Sequence, residues 1–346
     1  MKLHHFVLSV SLFAALTIVA SCHKGHDVEA LNITHPAAFV VNGASNNISV
    51  IDLTDDTRAH EIKLNGATFP HHIYLNPDKS KLAVAITNTD LSGGHGGHGG
   101  ATSGFKVQII NTVTGLIEKE ISTSKLPHNA VFNPSGTELW IPQSDKPSKV
   151  LVYRTSDWTQ TNEVEVGNLT SEVTFSADGS KVYAANTDEA TVSVIDPGTK
   201  TILTTIAVGT APVGAWTAEN GKMYVDNETS KTVSEIDVTT NAVTATINLG
   251  FKPGYVAYSN HHAELWVSDA DNGKIHYYKL VGGTWTQEGE FATGADAHAI
   301  AFNADGTKAY VTNQGAATVS VIQLSDHTKI KDIAVGTKPN GIALKQ

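Results

Sequence analysis

Three histidines in this chain stand just after the residue that opens a short apolar run: His71 follows Pro70, His128 follows Pro127 and His298 follows Ala297. Three imidazoles from separate segments form a set that Zn²⁺ or Cu²⁺ accepts, with nitrogens at about 2.0–2.1 Å in the zinc case. They would also titrate near pH 6.5. His72, Glu172 and Asp296 are neighbours that could join them. A second store of imidazole lies in Ser92-Gly93-Gly94-His95-Gly96-Gly97-His98-Gly99-Gly100. Ordering eight such residues costs roughly 8–16 kcal/mol at 1–2 per residue, comparable to the free energy of a structural zinc site. His95 and His98 alone would therefore bind weakly, and are expected to act as a flexible lid or metal-capturing arm over the other three. The competing reading is that a polar channel mouth tolerates histidine as a hydrogen-bonding residue and that the insertion is a glycine linker.

Residues as far apart in sequence as His71 and His298 need a frame to bring them together, and the chain supplies one by repetition. Seven segments share one pattern: Ala38-Phe39-Val40-Val41-Asn42, Leu82-Ala83-Val84-Ala85-Ile86, Leu139-Trp140-Ile141-Pro142-Gln143, Val182-Tyr183-Ala184-Ala185-Asn186, Met223-Tyr224-Val225-Asp226-Asn227, Leu265-Trp266-Val267-Ser268-Asp269 and Ala309-Tyr310-Val311-Thr312-Asn313. Five of the six steps between them fall at 41 to 44 residues, the spacing of a propeller blade. Within one copy, runs at 213–217, 222–227, 232–237 and 242–249 are punctuated by Gly, Asn, Asp or Pro, which reads as four short strands. One such unit cannot cover both of its sheet faces, so the units must stack until a ring closes.

The expected fold is all-β: a seven-bladed β-propeller of four-stranded antiparallel blades. Residues 37–69 supply three strands with no innermost strand before them, and Pro339 to Gln346 supply only an innermost strand, so the two segments should close one composite blade. Counting by the repeat, the residue that follows the start of each innermost strand is His71, His128, Ser171, Val213, Gly254, His298 and Asn340. With blades numbered from the innermost strand, the histidines fall in blades 1, 2 and 6, with Asn340 of blade 7 between them, on one arc of the channel mouth. The second and fourth connections of an up-and-down blade emerge together, which puts the His/Gly insertion (88–104) on the same face. Trp140, Trp216 and Trp266 fall on strand positions and should pack between blades. Asp52, Asp196 and Asp237 follow third strands and should bond nearby turn amides.

The chain resembles the YVTN-type seven-bladed propellers, on the strength of Gly336 to Pro339, Asp178-Gly179 and Asp305-Gly306, Tyr310 to Asn313, and Val192 to Asp196. The resemblance covers essentially everything after residue 36. It implies the fold and leaves function open, because related propellers include surface and scaffold proteins, lactone hydrolases and the metal- or haem-bearing domains of periplasmic reductases. Three copies depart from the pattern: the third has Trp140-Ile141-Pro142-Gln143, the first lacks the tyrosine and the second carries the insertion.

The remaining expectations concern location and partners. Lys2 precedes an apolar run from Phe6 to Ala20, long enough for a signal core and short of the ~20 residues that span a bilayer. Val19-Ala20-Ser21-Cys22 looks like a bacterial lipobox, and Cys22 is the only cysteine, which rules out an intramolecular disulfide. The expected organisation is a lipoprotein signal peptide at 1–21, a lipidated N-terminus and polar tether at 22–36, and the propeller at 37–346. His23 after Cys22 favours the outer membrane. The formal charge of -10 makes nucleic acid an unlikely partner. No phosphate-binding glycine loop, His-Glu-x-x-His or Cys-x-x-Cys-His is present. The leading expectation is thus a lipid-anchored envelope propeller that binds a protein or small molecule on its loop face and holds a transition metal, copper or zinc, at the channel mouth. The alternatives are a periplasmic lactone hydrolase or metal-dependent oxidoreductase using the same histidines, and a structural or adhesive surface protein.

Overall fold

The computed structural model describes residues 29–92 and 103–346, so the leader, Cys22, His95 and His98 lie outside the described residues. In chain order the strands are β1 (Ala37–Asn42), β2 (Asn47–Asp52), β3 (Thr57–Lys63), β4 (Pro70–Leu75), β5 (Lys81–Ile86), β6 (Lys106–Asn111), β7 (Ile117–Ser122), β8 (Val131–Phe132), β9 (Glu138–Gln143), β10 (Lys149–Arg154), β11 (Thr159–Glu165), β12 (Thr170–Phe175), β13 (Val182–Asn186) and β14 (Thr191–Asp196). They continue as β15 (Thr201–Ala207), β16 (Pro212–Thr217), β17 (Lys222–Asn227), β18 (Thr232–Asp237), β19 (Ala242–Asn248), β20 (Pro253–Ser259), β21 (Glu264–Asp269), β22 (Lys274–Val281), β23 (Thr284–Ala292), β24 (Ala297–Phe302), β25 (Lys308–Asn313), β26 (Thr318–Gln323), β27 (Lys329–Ala334) and β28 (Pro339–Lys345). Six sheets each take four consecutive strands, from β4–β7 to β24–β27, and the seventh has the order β28-β1-β2-β3. The result is the expected seven-bladed propeller. Its composite blade is sealed by antiparallel pairing of Ala37 with Lys345 through to Val41 with Gly341.

The repeated sequence pattern has a direct physical basis. The asparagine that ends the second strand of a blade reaches across to the third. Asn313 Nδ2 donates to Ser320 Oγ at 2.9 Å and Thr318 Oγ1 at 3.0 Å, and Asn186 does the same to Ser193 and Thr191. Asn42 and Asn227 repeat the bond to Ser49 and Ser234. Each amide is buried, and its Nδ2 bonds hold the second connection to its hairpin. The glycine that opens the Gly-x-x-Pro segment lies over this amide: a Cβ on Gly336 would sit 2.6 Å from Asn42 Cγ. The tyrosine of the tetrad is buried at the seam, where Tyr310 donates to Asp56 Oδ1 of the next blade at 2.7 Å.

The core is distributed between blades. Phe39, Val41, Ile48 and Val50 of blade 7 pack on Ile73, Leu82, Val84 and Ile86 of blade 1. Trp140 of blade 2 packs with Val173 and Val182 of blade 3, and Trp266 of blade 5 with Ile300 and Val311 of blade 6, as expected for those tryptophans. Burying each such side chain stabilises the ring by about 1.5–3 kcal/mol. Outermost strands face solvent, with a single buried residue near the end, as the patterns of β3 and β19 show. The stretch before β1 is more than a tether. Ile33 is fully buried against blades 7 and 1, and Leu31 and Ile33 donate their amides to Thr114 and Val113.

Candidate metal centre in the channel

The innermost strands position His71, His72 and His298 by a shared irregularity. In β4, Pro70 pairs with Ile86 but Ile73 pairs with Val84, so His71 and His72 together oppose a single residue of β5. The same two-against-one bulge places Ser171-Glu172 in β12, Val213-Gly214 in β16 and His298-Ala299 in β24. A bulge leaves an amide without its ladder partner and re-aims the side chains around it. In two blades the residue opposite takes up that amide: Asp226 Oδ1 accepts from Gly214 N at 3.1 Å, and Thr312 Oγ1 from Ala299 N at 2.9 Å.

In blade 1 the bulge delivers two consecutive imidazoles to one place. The rings of His71 and His72 lie 4.4 Å apart, edge to face, and His128 of the neighbouring blade is 4.4 Å from His71 and 5.1 Å from His72. All three are buried, and they offer one nitrogen each within 4.8 Å of the others. A tetrahedral ion with 2.0–2.1 Å bonds needs nitrogens about 3.4 Å apart. Modest side-chain adjustment would therefore bring the trio around an ion and leave further positions for water or a ligand.

Glu172 of blade 3 completes this arc. Its Oε1 accepts from His128 Nδ1 at 2.6 Å and lies 3.4 Å from His72 Nε2, while Oε2 accepts from the Tyr74 hydroxyl at 3.2 Å. Glu172 is fully buried. Burial, followed by the charge of Glu172, holds the Tyr74 phenol well above its usual range, so it stays a donor.

The opposite wall is aromatic. Trp216 and Tyr255 pack with centroids 3.9 Å apart and ring planes tilted by 38°, and the indole N–H donates to buried Asp226 at 2.7 Å. The Trp216 ring folds over Gly214 so closely that any side chain at 214 would strike it. Trp216 thus does more than pack between blades: it faces His72 across 6.2 Å. Burial, with lesser effects from Glu172 and Asp226, pushes the Tyr255 phenol up.

The structure brings together His71, His72, His128 and Glu172. His298 stands apart from the trio: its ring is 6.1 Å from His72, and its Nδ1 is 2.8 Å from the carbonyl of Asn340. Asp296 lies at the mouth, where with His298, Lys252, Glu228 and Asp271 it lines a cleft of about 420 Å³, and burial pushes its carboxyl up. The residues flanking the insertion are anchored at this mouth. Leu91 and Phe105 pack with Leu126, and Lys338 Nζ donates to Ser92 Oγ at 2.6 Å and also contacts Asp90.

Comparison with known proteins agrees on the fold. The choice-of-anchor I domain family matches residues 140–288. No curated protein sequence matches the chain. Among solved structures, the periplasmic gluconolactonase of Pseudomonas aeruginosa is similar over 90% of this chain and 99% of its own, with a TM-score of 0.72 and 16% identity. A protein of unknown function from Desulfotomaculum acetoxidans is similar over 89% and 98%, with a TM-score of 0.72 and 14% identity. Hydrazine synthase of Kuenenia stuttgartiensis is similar over 79% and 88%, with a TM-score of 0.66 and 15% identity.

Proposed function

We propose that this chain is a lipid-anchored β-propeller of the bacterial cell envelope that holds a divalent transition metal, zinc or copper, in its channel and uses its loop face as a binding surface. The carrying observation is the buried trio His71, His72 and His128, with nitrogens within 4.8 Å of one another. Two further features support it. Glu172 and Asp226 are fully buried, and a dication would offset their charge. Three imidazoles leave coordination positions open, the mark of a site that takes a ligand. The cleft of about 420 Å³ at the mouth is lined by His298, whose ring is 6.1 Å from that of His72. The lipobox at Cys22 supports the anchor.

The test is elemental analysis and calorimetric titration of the domain starting after Cys22. Wild type is expected to bind Zn²⁺ or Cu²⁺ at micromolar concentration or tighter, and H71A/H72A/H128A to lose at least a hundredfold. Equal binding by both proteins, or none by wild type, would refute the site. For the anchor, Cys22→Ala should move the protein from the membrane to the soluble fraction. A second reading, lactone hydrolysis at the same centre, is favoured by the open coordination positions and by the shared fold of the Pseudomonas aeruginosa gluconolactonase. Turnover of gluconolactone by wild type, lost in the triple variant, would establish it.

A further inference from the structure

We infer that Glu172 is a positioning residue for the metal centre: it fixes His128 with Nδ1 turned to the carboxylate, so that Nε2 is the nitrogen presented to the ion. This rests on the proposed metal reading. Carboxylates bonded to the far nitrogen of a ligating imidazole set both its tautomer and its ring orientation. The 2.6 Å contact from His128 Nδ1 to Glu172 Oε1 lies in the range of a charge-assisted bond, and both side chains are fully buried. Glu172 is not one of the trio whose nitrogens lie within 4.8 Å of one another, and its second oxygen is engaged by Tyr74. To ligate directly it would have to give up His128. A second device holds the pair in place. β8 is only two residues long and begins after His128, so the backbone at His128 is not carried in a blade ladder. Instead the Asn129 side chain pairs with the main chain next to Glu172, donating to Val173 O at 2.8 Å and accepting from Val173 N at 3.2 Å. The seam between blades 2 and 3 is thereby pinned at the two residues that meet.

The experiment uses the domain starting after Cys22 and two readouts: nitrogen-15 NMR of the His128 ring in the metal-free protein, and Zn²⁺ affinity with the Co²⁺ absorption spectrum. In wild type the ring should be the Nδ1–H tautomer. Glu172→Leu should mix the tautomers and weaken Zn²⁺ by roughly 10–100-fold. Glu172→Gln, whose amide oxygen still accepts from Nδ1, should keep the tautomer and most of the affinity. Asn129→Ala should fall between them, and serves if Glu172→Leu does not fold. An Nε2–H tautomer in wild type overturns the inference, whether or not metal binds. So do an unchanged affinity and spectrum in both Glu172→Leu and Asn129→Ala. If wild type shows the Nδ1–H tautomer but no metal binding, the metal reading fails while the positioning of His128 stands.

Discussion

The two walls of the channel are built on one ring of inner segments and solve opposite problems. On blades 1 to 3 the inward residues are His71, His72, His128 and Glu172, which must find partners because each is polar and buried. They find them across blade seams, as His128 does with Glu172 and Asn129 with Val173. On blades 4 and 5 the inward residues are Trp216 and Tyr255, which support each other by close ring contact. The indole N–H has its polar partner in Asp226 of its own blade. The frame is common to both walls, and the chemistry is set by which residues it turns inward. Both walls are joined across blade seams, the histidine wall by hydrogen bonds and the aromatic wall chiefly by apolar packing.

Four perturbations test this contrast. The largest removes the frame beneath both walls. Deleting Gly341–Gln346 strips most of β28 from β1, and cooperative unfolding should be lost or its midpoint lowered by more than about 10 °C, as followed by tryptophan fluorescence. A melting curve like that of wild type would contradict the sealed composite blade. Next, Trp216→Ala should cost about 3–5 kcal/mol in urea unfolding, yet leave Zn²⁺ affinity within about threefold. Loss of metal binding in this folded variant would show that the walls are not separable. Third, H71A/H72A/H128A should abolish metal binding while the Trp216–Tyr255 pair keeps its near-ultraviolet circular dichroism. A changed aromatic signal would break the contrast from the other side.

The smallest effect belongs to a control outside both walls. The Asp237 carboxyl is pulled down to about 2, first by the Thr240 amide and then by Lys222. An unfolded aspartate titrates near 3.9. The folded state therefore binds fewer protons in that window, so the stabilisation is complete above about pH 5 and is lost as pH falls through about 2. Asp237→Asn should lower the melting midpoint slightly at pH 7, and the gap to wild type should close towards pH 2. A gap that persists there would show that the carboxylate's charge is not what matters.

The repeat made the architecture readable because each signature residue does one structural job in every blade that carries it. Asn313, Asn186, Asn227 and Asn42 bond the third strand in the same way. Counting from them brings His71 and His128 to neighbouring blades, with His128 just ahead of β8 rather than in a strand. Such counting takes one residue per inner segment, His298 among them, and leaves His72 as a neighbour, whereas strict strand alternation would turn His71 and His72 to opposite faces. The bulge cancels that alternation at Pro70–Ile73, and no single blade's pattern announces it. A faint signal existed. Asp226 and Thr312, polar residues just before the signature asparagine, are the ones that take up the amides freed by bulges. In the stretch expected as a polar tether, Leu31 and Ile33 pack on the ring, a role that two isolated apolar residues do not announce in sequence.

The composite blade also has a temporal consequence. β28 is the last strand of the ring in chain order, and its partner β1 is the first. While the chain emerges, six blades and three strands can collapse, but β1 keeps a bare edge until Pro339–Lys345 arrives. Contacts spanning that much sequence form slowly, and an open edge invites pairing with another chain in the meantime. The ring's closure is therefore a late commitment step, and helpers that shield exposed strand edges would act in the interval before it.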